Sequence, residues 1–329
     1  MSSSIELESL RQSAVFVDGA GHDVLRATGN DRAGFLHRIT SGKVVGVEPG
    51  QGSQTLLLDV RGRVLARLLV FVRAKSLRVM VPSAQGESVA AGLSKFAIMD
   101  DFQIVPEPEL VSLAVLGPKA GAALGAAGVA VPSGLAEAPL YAHAEVASAA
   151  FGSLWVAHGR ASGADGLCVV ASRPAREAIV AALLAGGIAR LPGEIAEALR
   201  IVAMEPKLGA EITPDRFPVE IGLGAAIDHS KGCYVGQETI VRMRDRGNIR
   251  KRLARLQLAG TVWPKPGDKV TADGQPNAGL VTSAGALPGE NPVALAVVST
   301  AIALGGAVQV QSEGGVLAAE IVGEVPPWG

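Results

Sequence analysis

The chain has 329 residues, 48% hydrophobic and 19% charged, with 30 basic side chains against 31 acidic ones. Such a length predicts two or three domains, and the composition is that of a soluble globular protein, not a disordered one. A net charge of −1 excludes a polycation built for nonspecific nucleic-acid binding, so any charged partner must be met locally.

Only two cysteines occur, Cys168 and Cys233, too far apart in sequence to suggest a disulfide framework or a metal-ligand cluster. No metal site is expected, and a reducing cytoplasm fits best. Met1 to Arg11 carries acidic residues without the apolar run of a secretory signal or the basic character of a transit peptide, which favours a cytoplasmic location.

From Val24 to Val47 an extended start passes into a predicted helix, capped by Asn30 or Asp31, striped by Phe35, Leu36 and Ile39, and stopped at Gly42. Thr55 to Val72 reads as two strands around the turn Arg61-Gly62-Arg63, followed by a strand from Leu77 to Val81. Ser83 to Phe96 reads as a helix with a Ser cap, and Leu113 to Leu116 as a strand ended by Gly117-Pro118. The Ala- and Gly-rich stretch from Ala120 to Ala138 suits a short helix and a surface loop. Strands are expected at Leu154 to Ala157 and Leu167 to Ala171, and helices at Pro174 to Ala185 and from Gly193 to about Met204. Beyond Arg250, short strands alternate with Pro-, Gly- and Asp-rich turns, so Leu253 to Val325 reads as a small all-β domain. Val293 to Val310 is uncharged over eighteen residues, but Ser299, Thr300, Gly305, Gly306 and Gln309 interrupt it, which suits two buried strands and a turn better than a membrane span. The fold class is therefore α+β, with no regular alternation of strands and helices.

The chemistry concentrates in Lys231-Gly232-Cys233-Tyr234-Val235-Gly236-Gln237-Glu238. Gly236 can open a helix with Gln237 and Glu238 in its first turn and Arg242 and Arg244 further along. Cys233, two residues from Lys231 and ahead of a helix N-terminus, meets two conditions that favour thiolate over thiol. The alternative is a small buried hydrophobe, the reading that suits Cys168 inside its apolar strand. Gly232 and Gly236 permit unusual backbone angles or close approach of a ligand, and Tyr234 offers a ring, both suited to a flat heterocycle. Lys231 to Arg255 holds eight basic residues and two acids, a local balance of +6. That run suits a solvated face, the tail of a polyanionic ligand, or RNA phosphates.

The octapeptide together with RMRDRGNIRKRL resembles the signature of the YgfZ-type folate-binding proteins, relatives of the glycine-cleavage T-protein, an aminomethyltransferase. LRATGNDRAGFLHRITSGKV, LLLDVRGRVLARLLVF, LAVLGPKA and PKPGDKVTADGQPNAGLVTSA extend the resemblance over most of the chain. It implies three domains in a ring, mixed α+β units from discontinuous chain followed by a C-terminal β-barrel, with a reduced folate, tetrahydrofolate or a relative, held centrally. The expected division is an aminomethyltransferase-like region at 1–250 and a barrel at 251–329. Cys233 and Lys231 are the residues assigned to chemistry, and Tyr234, Gly236, Gln237, Glu238, Arg242, Arg250 and Asp59 those assigned to the folate, with Arg250 and Lys251 toward its glutamate tail. Two acids of the T-protein align with Val89 and Val202, neither of which can take a proton or bond a pterin, leaving Asp59, Asp100, Asp101 and Glu205 as substitutes. The resemblance thus implies a monomeric folate-binding protein that supports iron-sulfur enzymes and tRNA modification, with iron-sulfur proteins or their assembly factors, tRNA or tRNA-modifying enzymes as partners. The alternatives are a tetrahydrofolate-dependent aminomethyltransferase and an RNA-binding module using residues 242–255.

Overall fold

A computed structural model describes residues 2–18, 21–247 and 249–328. The chain divides into two compact units, the first comprising 1–57, 66–192 and 230–234, the second 58–65, 193–229 and 235–329.

In the first unit the elements run α1 (Ser2–Gln12), β1 (Val15–Asp18), β2 (His22–Thr28), α2 (Arg32–Ile39), β3 (Gly52–Leu58), β4 (Val64–Val72), β5 (Leu77–Pro82), α3 (Gly86–Ser94), β6 (Gln103–Pro106), β7 (Leu110–Leu116), α4 (Ala120–Ala126), β8 (His143–Ser148), β9 (Gly152–Ala161), β10 (Ala164–Ser172), α5 (Arg173–Ala185) and β11 (Ala189–Arg190). They build a six-stranded sheet ordered β11-β1-β7-β10-β9-β8 and a five-stranded sheet ordered β3-β4-β5-β2-β6. Strand alternation sorts the side chains between two cores. Leu154 and Val156 of β9, with Leu167 and Val169 of β10, join Leu124 of α4 and Ile179 and Leu183 of α5 in one buried cluster. Their neighbours Trp155, Ala157, Cys168 and Val170 face the other way, onto Val24, Phe71 and Met80 of the five-stranded sheet. The two sheets of this unit therefore pack face to face.

The expected stripe of α2 is buried through Phe35, Leu36 and Ile39, with Phe35 stacked on Phe102 at 4.1 Å. Asp31 occupies the N-cap, but its carboxylate accepts from the Asp101 amide at 2.8 Å and not from the helix. The helix expected from Ser83 begins instead at Gly86, because its first amide donates to Asp23 of β2 at 2.9 Å, a cap 63 residues distant. Helix α5 follows expectation with proline in its first turn, and Ser172 caps it by accepting from Ala175.

The second unit adds α6 (Gly193–Val202), α7 (Gln237–Arg246), β12 (Lys251–Leu258), β13 (Lys269–Ala272), β14 (Gln275–Gly285), β15 (Val293–Ser299), β16 (Ala307–Ser312) and β17 (Gly315–Glu324). The strands close into a barrel in the order β12-β15-β14-β13-β16-β17 around Leu256, Val270, Val281, Ala296, Val310 and Ile321. The uncharged run from Val293 forms β15, a turn and the start of β16, and no helix among the described residues is long and apolar enough to cross a membrane.

A buried polar network joins α6 to this barrel. Glu211, fully buried, accepts from Arg200 and the Lys207 amide at 3.0 Å each, from Thr282 at 2.6 Å and from Ser283 at 2.7 Å. Four donors compensate the carboxylate for its lost water, as an interior charge requires.

Candidate functional site

The singled-out octapeptide divides between the two units. Lys231 to Tyr234 belong to the first, and there the lysine is a fastener. Its Nζ donates to the carbonyl oxygens of His37, of Thr40 at 2.5 Å and of Gly42 at 2.9 Å. These carbonyls lie at the C-terminal end of α2, where unpaired oxygens and the helix dipole both attract a cation. Three carbonyl acceptors match the three hydrogens of the ammonium. The same Nζ lies 5.4 Å from the centroid of the Tyr234 ring, which is buried to 8% exposure. Cys233, between these two anchors, is exposed. The local design thus pins the chain on either side of a thiol and leaves the thiol in solvent. The other cysteine, Cys168, is half-buried: it borders a narrow crevice of about 40 Å³ in the first unit, and burial pushes its thiol up to about 12.

In the second unit, Gly236 is the N-cap of α7 with φ 82°, and the helix begins at Gln237. A Cβ on Gly236 would stand 2.4 Å from the Asp59 carbonyl oxygen, so the glycine is needed where the 59–62 turn packs on this helix start. Asp59 shapes that turn: its Oδ1 accepts from the amides of Arg61 at 2.9 Å and Arg63 at 2.8 Å. Gly62, at φ 81°, completes it against Thr239 and Ile240. The structure therefore brings Asp59 to the motif's helix, in the role of a turn-former. Gln237 is half-buried, and the exposed Glu238 pairs with Arg242 at 2.5 Å, one turn on.

The basic run is less uniform than its sequence suggests. Arg244 pairs with Asp245 at 2.9 Å. Arg252 is a buried barrel residue, 6% exposed, paired with Glu324 at 2.7 Å and donating to the Ile302 carbonyl at 2.6 Å, so it is no part of a docking face. Arg255 donates to the Val202 carbonyl at the end of α6. Arg246, Arg250 and Lys251 are exposed.

The positions aligned with the missing acids are apolar in their setting as well as their chemistry. Val89 is 3% exposed within α3, and Val202 is half-buried as the last residue of α6. Of the substitute acids, Asp100 pairs with Arg38 at 2.7 Å and Asp101 accepts from the Asn30 amide at 2.8 Å, both in the first unit.

Residues 2–231 match the GCVT N-terminal domain, more than half of the chain. The chain belongs to the GCVT family. It is 25% identical over 323 residues to the putative transferase At1g60990, chloroplastic, of Arabidopsis thaliana, covering 97% of this chain and 72% of that one. It is 26% identical over 284 residues to the aminomethyltransferase of Bacillus subtilis strain 168, covering 84% and 77%. The glycine cleavage system aminomethyltransferase T from Bartonella henselae superposes with a TM-score of 0.85 at 21% identity, over 98% of this chain and 88% of that one. The expected α+β fold with a terminal barrel is thereby established.

Proposed function

We propose that this member of the aminomethyltransferase-like family binds a reduced folate and serves as a YgfZ-type protein supporting iron-sulfur enzymes, without transferring an aminomethyl group itself. The observation that carries this reading is the pinned octapeptide: Lys231 and Tyr234 hold Cys233 exposed, shortly before the chain enters the helix that opens with Gln237 and Glu238. Such an arrangement keeps one thiol presentable while using its neighbours for structure.

The side chains at hand suit a folate in part. Gln237 supplies an amide that can bond a pterin edge, and the exposed Arg246, Arg250 and Lys251 suit the carboxylates of the glutamate tail. When bound, tetrahydrofolate supplies ring nitrogens that carry one-carbon units. Val202 offers no acceptor to the ring, and Val89, buried in α3, no proton acceptor to a transfer reaction. Cys233 is the remaining group with covalent or redox capacity in the motif, and a single thiolate holds a cluster only when shared with a partner.

The test compares wild type with Cys233→Ala for tetrahydrofolate binding and for rescue of iron-sulfur enzyme activity in cells lacking the protein. Folate binding retained with rescue lost is the expected pattern, and full rescue by the variant overturns the role given to the thiol. The second reading, aminomethyl transfer, is favoured by the names of the relatives. Folate-dependent ammonia release from an aminomethylated lipoyl carrier would establish it and refute ours.

A further inference from the structure

A cavity of about 650 Å³ lies in the first unit, remote in sequence from the octapeptide and lined by Arg26, Arg73, Lys75, Arg78, His143 and Glu145 among others. Its volume falls within the range of small-molecule sites. The strand register there is unusual, since β2 and β5 set Arg26 directly opposite Arg78. Like charges facing across a ladder destabilise a sheet, so packing alone does not select this pair.

The chain compensates these charges only in part. Glu107 serves both arginines, bonding Arg78 and reaching Arg26 at 3.3 Å, and Glu145 pairs with Arg73. Lys75, in the β4–β5 turn, is exposed and has no ion-pair partner among the described residues. Four cations thus meet two carboxylates, an excess of two positive charges in a chain whose net charge is −1. Burial first, and then the Arg78 charge, lower the Arg73 guanidinium from its ordinary value, while Glu107 acts the other way.

We propose that this cavity binds a phosphate-bearing small molecule of nucleotide size, its phosphoryl group held by Arg73, Lys75 and Arg78. A phosphate monoester carries close to the missing two negative charges, and planar guanidinium forks match its oxygens in pairs. An RNA backbone, with one charge per phosphate and a long track, would call for an extended groove of cations and not a compact cluster.

The experiment is calorimetric titration of the full chain at low salt with adenosine 5′-monophosphate, adenosine and inorganic phosphate. The monophosphate should bind and adenosine should not. Lys75→Glu and Arg73→Gln should each weaken the monophosphate by about tenfold or more, the value of a charge-assisted contact. Lys269→Glu, on an exposed barrel lysine, should leave it unchanged, and circular dichroism checks that all three variants fold. Failure of wild type to bind the monophosphate, equal binding of adenosine, or equal loss in Lys269→Glu would overturn the proposal. So would displacement of the monophosphate by tetrahydrofolate or by a short RNA.

Discussion

Replacing Lys231 by methionine separates two roles that its sequence position leaves entangled. If the ammonium fastens the motif to α2, Lys231→Met removes three bonds from a charged donor and orphans carbonyls at Thr40 and Gly42, both buried residues. A hydrogen bond to a charged group contributes about 1.5–3 kcal/mol, and methionine keeps the apolar stem and spares the ammonium its desolvation. A net loss of about 3–5 kcal/mol follows, the cost of removing one partner from a buried charged cluster. For a unit of this size that lowers the melting temperature by about 10 °C. Lys231→Arg should fail to restore it, because a flat guanidinium cannot point three hydrogens at three converging oxygens. Calorimetric melting and the rate of Cys233 alkylation are to be measured on the same samples. A stability change under about 1 kcal/mol, with alkylation slowed as for a thiol deprived of a neighbouring cation, would refute the fastener and restore Lys231 as activator of the thiol.

Four further outcomes follow. In the native protein at pH 8, a thiol reagent should modify Cys233 alone, Cys168 reacting only on unfolding because its thiol is pushed up to about 12; comparable native rates by mass spectrometry would contradict the placement of both. Glu211→Gln should cost about 3 kcal/mol in urea denaturation by stripping charge from the Arg200, Thr282 and Ser283 network, whereas Thr282→Val, with three donors remaining, should cost less. Arg252→Ala should destabilise by about 3 kcal/mol and exposed Arg250→Ala by less than about 0.5 kcal/mol, so weakened RNA binding in the former alone would report unfolding and not contact. Burial lowers the His143 imidazole from 6.5, so the unfolded chain takes up its proton first as pH falls. The stability from neutral His143 is therefore present above about pH 6.5 and lost as pH drops through the lowered folded value, and His143→Gln should flatten that part of the acid slope in a pH series of melts.

Local pattern made much of the fold legible. The α2 stripe, the proline in the first turn of α5 and the Pro/Gly-punctuated barrel strands all depend on neighbours within a few residues. What stayed hidden depends on partners far along the chain. The true start of α3 is set by Asp23, and the use of Lys231 by carbonyls at 37, 40 and 42. Arg252 read as a member of a basic run because charge counting ignores strand alternation; its neighbour Lys251 points out while Arg252 points in. The Arg26–Arg78 juxtaposition needed a register that no periodicity announces. Gly236 was legible as a helix opener, but the close approach it permits is that of the 59–62 turn.

The return of residues 230–234 into the first unit has a bearing on biosynthesis. Lys231 meets acceptors 189 to 194 positions earlier, so α2 leaves the ribosome long before the cation that completes its C-terminal end. During vectorial synthesis the carbonyls at 37, 40 and 42 therefore lack this partner until the residues between 193 and 229 have been made. A fragment that stops at residue 192 ends short of its own closing piece. The exposed thiol is thus presented in its pinned form only by chains that have been translated past the motif.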